Sequence, residues 1–299
     1  MPDKRRIIDA HHHLWDLQAC HYPWLMARGV TRFFGDPTAI QKNYLVADLL
    51  DDAADYELAA SVHVQVGVAP GDELKETAWL QETGDDTGLP SAIVAFCELD
   101  SPEAPQFLGA QLEFSRLRGV RQIIGRSDAE DAVTGSGELV DNPVWRKNLG
   151  LLGELGLSFD LQLTPSQVPQ VAAALADACD TDVALCHCGS PWDQTRSGIE
   201  SWREGLRLLA SLPNVYCKIS GFGMFDHNWT VESIRPIVES CIEIFGADRS
   251  MFGSNFPVDK LHASYGQVWR AYEELAAGLG ARDQQFLFGD TARNFYRID

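Results

Sequence analysis

Two histidines one residue apart, His11 and His13, end a short apolar run near the start of the chain, IIDAHHHLW. If that run is a β-strand, alternation puts Asp9, His11 and His13 on one face and Ala10 and His12 on the other. Two imidazoles aimed at one point can take a proton from water, donate to a substrate oxygen, or ligate a divalent ion through neutral nitrogens. A third comes from ALCHCGSP, where alternation sets His187 opposite Cys186 and Cys188 and disfavours a Cys-His-Cys zinc cluster. Against these readings stand plainer ones. A histidine run near a terminus is sometimes a solvated accident or a tag remnant, although this one continues a strand-like segment directly, and a buried His187 can simply donate to a carbonyl.

Other apolar runs carry the remaining candidates. GVRQII holds Arg121, with Gly119 on the same face, and VYCKIS holds Lys218 with Ser220 beyond it. A cation fixed inside a pocket needs a carboxylate from the protein or from a substrate, and charge alone does not choose between them. ASVHVQV supplies Gln65, to bind substrate or orient a neighbour, and His63, expected in the core. In FGSNFPVDK, Asn255 carries an amide that cannot ionise and is a poor partner for a divalent cation. Any metal would therefore rest on His11, His13 and His187 alone, and weakly. Asp259 and Lys260 follow, either returning a carboxylate to the site or forming a surface pair.

These residues need a frame that brings distant segments together. Short runs rich in Val, Ile and Phe recur at 5–9, 59–66, 91–98, 118–124, 157–163, 183–188, 214–220 and 250–254. Between them, 43–57, 72–83, 143–155, 166–178, 199–211, 231–245 and 264–279 show the three- and four-residue apolar spacing of helices, with a weaker pattern at 102–116. Thr164-Pro165-Ser166 and Asn142-Pro143 read as helix starts. Eight such units in 299 residues favour a closed (β/α)8 TIM barrel, one domain, over an open sheet. Two segments exceed simple connections. Residues 14–41, with Trp15, Tyr22, Trp24, Phe33 and Phe34, suggest a lid or binding wall, and Gly- and acid-rich 125–141 a mobile rim.

A formal charge of -19 disfavours nucleic acid and anionic membranes as partners. No run is long and apolar enough to span a bilayer. The start, MPDKRR, passes straight into a strand without the apolar core of a signal peptide. Seven cysteines, an odd number set mostly in apolar runs, read as reduced buried thiols, and the expected compartment is cytoplasmic. A homo-oligomer remains open.

Taken in order, IIDAHHHLWD, HYPWL, GVRQII, LCHCGSP, VYCKISGFG, FGSNFPVDK and FGDTARNFYRI resemble the amidohydrolase superfamily, nearest to its amidohydrolase-related branch of sugar-acid and dicarboxylate lactonases. That branch includes 2-pyrone-4,6-dicarboxylate lactonase and L-fucono- and L-rhamnono-lactonases. The resemblance implies a distorted barrel that opens lactone rings with water. It places His11, His13, His187 and Arg121 on the family's site positions and Asn255 where the commoner GSDWP form has an acid. It also implies that no bound metal need be required, or that one weakly held Zn2+ is present, and it shows no lysine on strand four to bridge two metals.

The expectation is a lactonase acting on an anionic small molecule. His11 or His13 serves as base, His187 with Arg121 or Lys218 stabilises the oxyanion, Asn255 stands in the catalytic group, and Gln65, Trp15 and Tyr22 contact substrate. The alternatives are a mononuclear zinc amide or ester hydrolase, a decarboxylase of the same superfamily, which Asn255 disfavours, and a catalytically silent barrel that binds a small anion.

Overall fold

The computed structural model describes residues 4–299. Residues 1–3, part of the basic start on which the absence of a signal peptide was read, lie outside them. Eight parallel strands run in chain order around one sheet: β1 Arg6–His12, β2 Glu57–Val64, β3 Ala92–Ala95, β4 Leu117–Val120, β5 Ser158–Leu161, β6 Val183–Leu185, β7 Val215–Ile219 and β8 Ser250–Phe252. Every expected strand is present. Several stop earlier than their apolar runs, and β6 ends at Leu185, short of His187.

The helices between them are α1 Val46–Asp52, α2 Glu73–Thr87, α3 Ala104–Gln111, α4 Pro143–Glu154, α5 Val168–Asp177, α6 Arg196–Ala210, α7 Val231–Phe245 and α8 Tyr265–Ala276. Asn142 caps α4 by accepting from Val144 N and Trp145 N, with Pro143 at the first helical position. α1 is shorter than its periodic pattern because Glu57 already opens β2. The rim at 125–141 is more regular than its composition suggests. It forms a helix over Asp128–Thr134 and a 3-10 turn over Ser136–Asp141, tied to the first loop by a two-bond Arg32–Glu130 ion pair. Past α8, the short helical turns Ala281–Gln285, Phe286–Asp290 and Thr291–Phe295 have no counterpart in the sequence reading.

Alternation sorts the strand residues into two cores. Ile7, Ile93, Phe159, Leu185, Ile219 and Phe252 face the helices. Ile8, Ala10, Val62, Val94, Ala184 and Met251 fill the lumen, and Phe295 and Tyr296 of the last turn pack against them. Each fully buried aliphatic side chain is worth about 1.5–3 kcal/mol, so both layers hold the strand order. Six of the cysteines are buried and Cys179 is exposed, all as free thiols. Among the described residues no helix is long and apolar enough to cross a membrane.

The barrel closes differently where its first and last strands meet. Ladders join β1 through β8 in sequence, whereas β1 and β8 are held by bonds just past their ends, His13 N to Phe256 O and Asn255 N to His11 O, both 2.7 Å. Beneath them the Asp9 carboxylate accepts from Ser254 N (2.9 Å), Ser254 Oγ (2.6 Å), Tyr265 Oη (3.1 Å) and His11 N (3.1 Å). Burial pushes Asp9 up to about 6, and these donors pull against that rise.

Glu76 of α2 is buried close to Tyr22 of the first loop. This residue is 1% exposed, one carboxyl oxygen has no partner, and burial pushes its carboxyl up to about 8 from an ordinary 4.5. A raised acid keeps its proton in the folded state while the unfolded chain has lost it, so stability falls as pH rises from 4.5 through about 8. Between pH 6 and 8, Glu76→Gln is expected to gain about 2 kcal/mol relative to the parent in urea unfolding. Parallel pH dependences of the two proteins would contradict the burial argument.

Candidate active site

The carboxyl ends of the strands surround a cavity of about 430 Å³ whose wall includes His13, His187, Asn255, Arg121, Gln65 and Trp15. Barrel enzymes place their chemistry at this end.

A bulge in β1 sets the two first-strand imidazoles at the base of the cavity, His13 on the wall and His11 fully buried behind it. Asp9 pairs with Ser61 and His12 with His63, so three steps on β1 match two on β2. The extra residue breaks alternation. Asp9 therefore turns away to the Ser254–Tyr265 seam, contrary to the shared face expected from simple parity, while His11 and His13 converge. Their ring centroids lie 5.1 Å apart, and His11 and His187 lie 4.5 Å apart. His12 bonds Ser61 Oγ at 2.9 Å, and His63 accepts from Leu14 N at 3.0 Å. Gly253 makes room for His11, because a Cβ there would stand 2.8 Å from the His11 Cβ.

His187 follows β6 in left-handed backbone, φ 53, so strand alternation no longer applies to it. Non-glycine residues in this region cost on the order of 1–3 kcal/mol and gather at functional sites. Its Nδ1 meets Ser220 Oγ at 2.9 Å. His13 Nδ1 donates to Val64 O at 2.7 Å, while its Nε2 lies 3.3 Å from Asn255 Oδ1. Burial above all keeps the three rings neutral. Neighbouring imidazoles and Lys218 add to this at His11, Arg121 adds at His187, and burial followed by Arg121 brings His13 down to about 3.

Arg121 is 4% exposed and donates to Gln162 Oε1 (3.3 Å) and Gln65 O, leaving Nε without a partner. Gln65 donates to Arg121 O at 3.3 Å and keeps an unpartnered Oε1, and both nitrogens of His11 are likewise unmatched. Buried polar atoms left without a protein partner are free to bond water or a ligand. Lys218 lies elsewhere. It is fully buried in an ion pair with Asp160, which also accepts from Tyr296 Oη at 2.7 Å, and it is absent from the cavity wall. Of its two readings, the internal pair is the one formed. Tyr22 is buried behind the wall, whereas Trp15 reaches the wall with its indole N–H on Lys42 O at 2.6 Å.

Sequence reasoning passed over Asp160, Gln162, Arg32 and Arg126. Asp160 and Gln162 left a signal, since they alternate with Phe159 and Leu161 in SFDLQL. Arg32 and Arg126 sit in loops and left none, although both line the cavity. Asp259 and Lys260 part company. Asp259 is buried and accepts from Asn255 Nδ2 at 3.1 Å, while Lys260 pairs with Asp52 at 2.7 Å. Burial pushes the Asp259 carboxyl up to about 7.

A barrel whose mouth gathers three neutral imidazoles around a buried arginine is the frame of a hydrolase. The chain belongs to the amidohydrolase family, whose profile matches residues 8–298. It is 41% identical over 293 residues to the Sinorhizobium fredii protein y4mH, covering 98% of each chain. It is 29% identical over 305 residues to an L-fucono-1,5-lactonase of Burkholderia multivorans, covering 97% of this chain and 96% of that one. An amidohydrolase structure from Burkholderia multivorans with bound zinc superposes with a TM-score of 0.82 at 28% identity, over 98% of this chain and 99% of that one.

The zinc in that relative prompts a test of the donors here. Among the described residues, the set of three ligand atoms that comes together, within 4.8 Å, is His11, Asp160 and Cys186, not the three histidines. Asp160 already holds the Lys218 ammonium, and burial pushes the Cys186 thiol up to about 12, away from the thiolate that zinc prefers. The set does not fit zinc while Lys218 occupies it.

Removing one partner of a buried pair strands the other charge. Lys218→Met is expected to cost about 3–5 kcal/mol in urea unfolding, and Asp160→Asn/Lys218→Met to recover most of that loss. Equal stability of single and double variants would show that the pair carries little.

Proposed function

We propose that this protein adds water to the ring carbonyl of a carboxylate-bearing lactone and releases the open hydroxy acid. The observation that carries the reading is the pair His13 and His187, both neutral, on the wall of one cavity with the incompletely bonded guanidinium of Arg121. Because Val64 O can only accept, His13 carries its proton on Nδ1 and offers the Nε2 lone pair as a base. The Ser220 hydroxyl, 2.9 Å from Nδ1 of His187, donates to it in this reading, and His187 carries its proton on Nε2 as a donor.

In this reading water attacks the carbonyl carbon while His13 Nε2 takes its proton. His187 Nε2–H receives the developing oxyanion. As the tetrahedral intermediate collapses, the bond from carbon to ring oxygen breaks and His13 returns its proton to that oxygen. Each role is worth about 10²-fold or more. A substrate carboxylate set against Arg121 would offset the positive charge that weakens His13 as a base, which favours an anionic lactone. The relative named L-fucono-1,5-lactonase supports a ring ester over an amide.

Purified protein treated with a chelator is expected to hydrolyse at least one member of a panel of sugar-acid and dicarboxylate lactones, with His187→Asn slower by about 10²-fold. No turnover across the panel would overturn the proposal. A second reading, a zinc-dependent amide or ester hydrolase, is favoured by the zinc-bearing relative and would be supported by activity that appears only with stoichiometric zinc. Arg121→Met should raise KM for carboxylate-bearing lactones about tenfold or more, and change it little for neutral ones, in steady-state kinetics.

A further inference from the structure

We propose that Asp259 is a positioning residue for the base, holding the Asn255 amide so that its carbonyl oxygen meets Nε2 of His13 and stabilises that ring once it has taken a proton. The inference rests on the reading of His13 as base and adds to it a carboxylate that does not touch the substrate cavity.

The chain of contacts is short and buried. Asp259 and Asn255 are each 1% exposed and His13 is 5% exposed. Asn255 Nδ2 donates to Asp259 Oδ1 at 3.1 Å, and Asn255 Oδ1 faces His13 Nε2 at 3.3 Å. The backbone fixes both ends. Asn255 sits in left-handed conformation, φ 55, its N–H donates to His11 O at 2.7 Å, and Asp259 N donates to Asn255 O at 3.1 Å. The backbone of Gly223, beyond β7, also bonds the Asp259 carboxyl.

An amide has a donor end and an acceptor end, so something must decide which one faces the imidazole. Above the value of about 7 to which burial raises it, Asp259 is a carboxylate whose oxygens only accept, so it takes the NH2 end and turns the oxygen to His13. Toward a neutral ring that polarity is a misfit, two acceptors face to face, and the 3.3 Å separation is accordingly long. When His13 gains a proton at Nε2, the same contact becomes an N–H···O bond and can tighten. An interaction made only after proton transfer lowers the barrier without strengthening substrate binding. Among the described residues no carboxylate hydrogen-bonds directly to the imidazole of His11, His13 or His187, and the charge of Asp160 is met by Lys218. The Asp259–Asn255 pair is therefore the route by which negative charge reaches the base.

Two measurements test this. Asp259→Asn, nearly identical in shape, should lower kcat about 10- to 100-fold with KM within threefold, and Asn255→Asp/Asp259→Asn, which moves the carboxylate directly against His13, should recover kcat to within about fivefold of the parent. Without substrate, the Nε2 signal of His13 in 15N-histidine-labelled protein should move in Asp259→Asn while the His187 signals stay. Where Asp259→Asn fails to fold, Asp259→Ser takes its place. Parental kcat together with an unmoved His13 signal would overturn the proposal, as would a double variant no faster than the single one. A parent inactive on every lactone, with the His13 signal still moving, would instead sink the lactonase reading and leave the contact standing.

Discussion

The carboxylate of Asp9 joins the first strand of the barrel to the segment after the last, where no continuous ladder does so. Four donors converge on it, from Ser254, Tyr265 and the backbone of His11. Through these bonds β1, β8 and α8 share one buried anchor, and the residues on either side of it are His11, His13 and Asn255. The relative placement of two imidazoles and one amide from opposite ends of the chain thus depends on a group that has no part in the chemistry. Its burial is costly, and the density of its donors offsets that cost.

The mouth follows an electrostatic logic that the overall charge conceals. A chain of net charge -19 keeps two cations under its active centre. Lys218 is neutralised within the barrel by Asp160, while Arg121 donates to an amide oxygen and a backbone carbonyl. The three imidazoles between them are neutral because burial and these cations act in the same direction. A polar network left incomplete on one side, beside one completed on the other, separates the part of the site that holds the fold from the part left to meet a ligand.

Much of this was legible in the sequence, and what was not has identifiable causes. Eight apolar runs announced eight strands, since a strand covered on both faces has few other compositions. His11, His13, His187 and Arg121 were legible because each lies in or directly follows such a run. Parity misplaced Asp9, because a bulge between Asp9 and His12 adds a residue that composition does not mark. It also stopped being a guide at His187, since β6 had already ended at Leu185. Lys218 left two readings, as its partner Asp160 lies 58 residues away and only the closed barrel joins them. Asp259 and Lys260 are neighbours in sequence and opposites in space, a division set by a turn around a left-handed asparagine.

The bulge in β1 has a meaning at the level of the gene. Deleting the codon for Ala10 would remove the extra residue and keep all three histidines of the run, yet it would rotate the imidazoles off their common target. Substitution at this stretch tests one group at a time, whereas a frame-preserving deletion there removes the geometry that makes them a set. Length, as much as residue identity, is under constraint at this point of the chain.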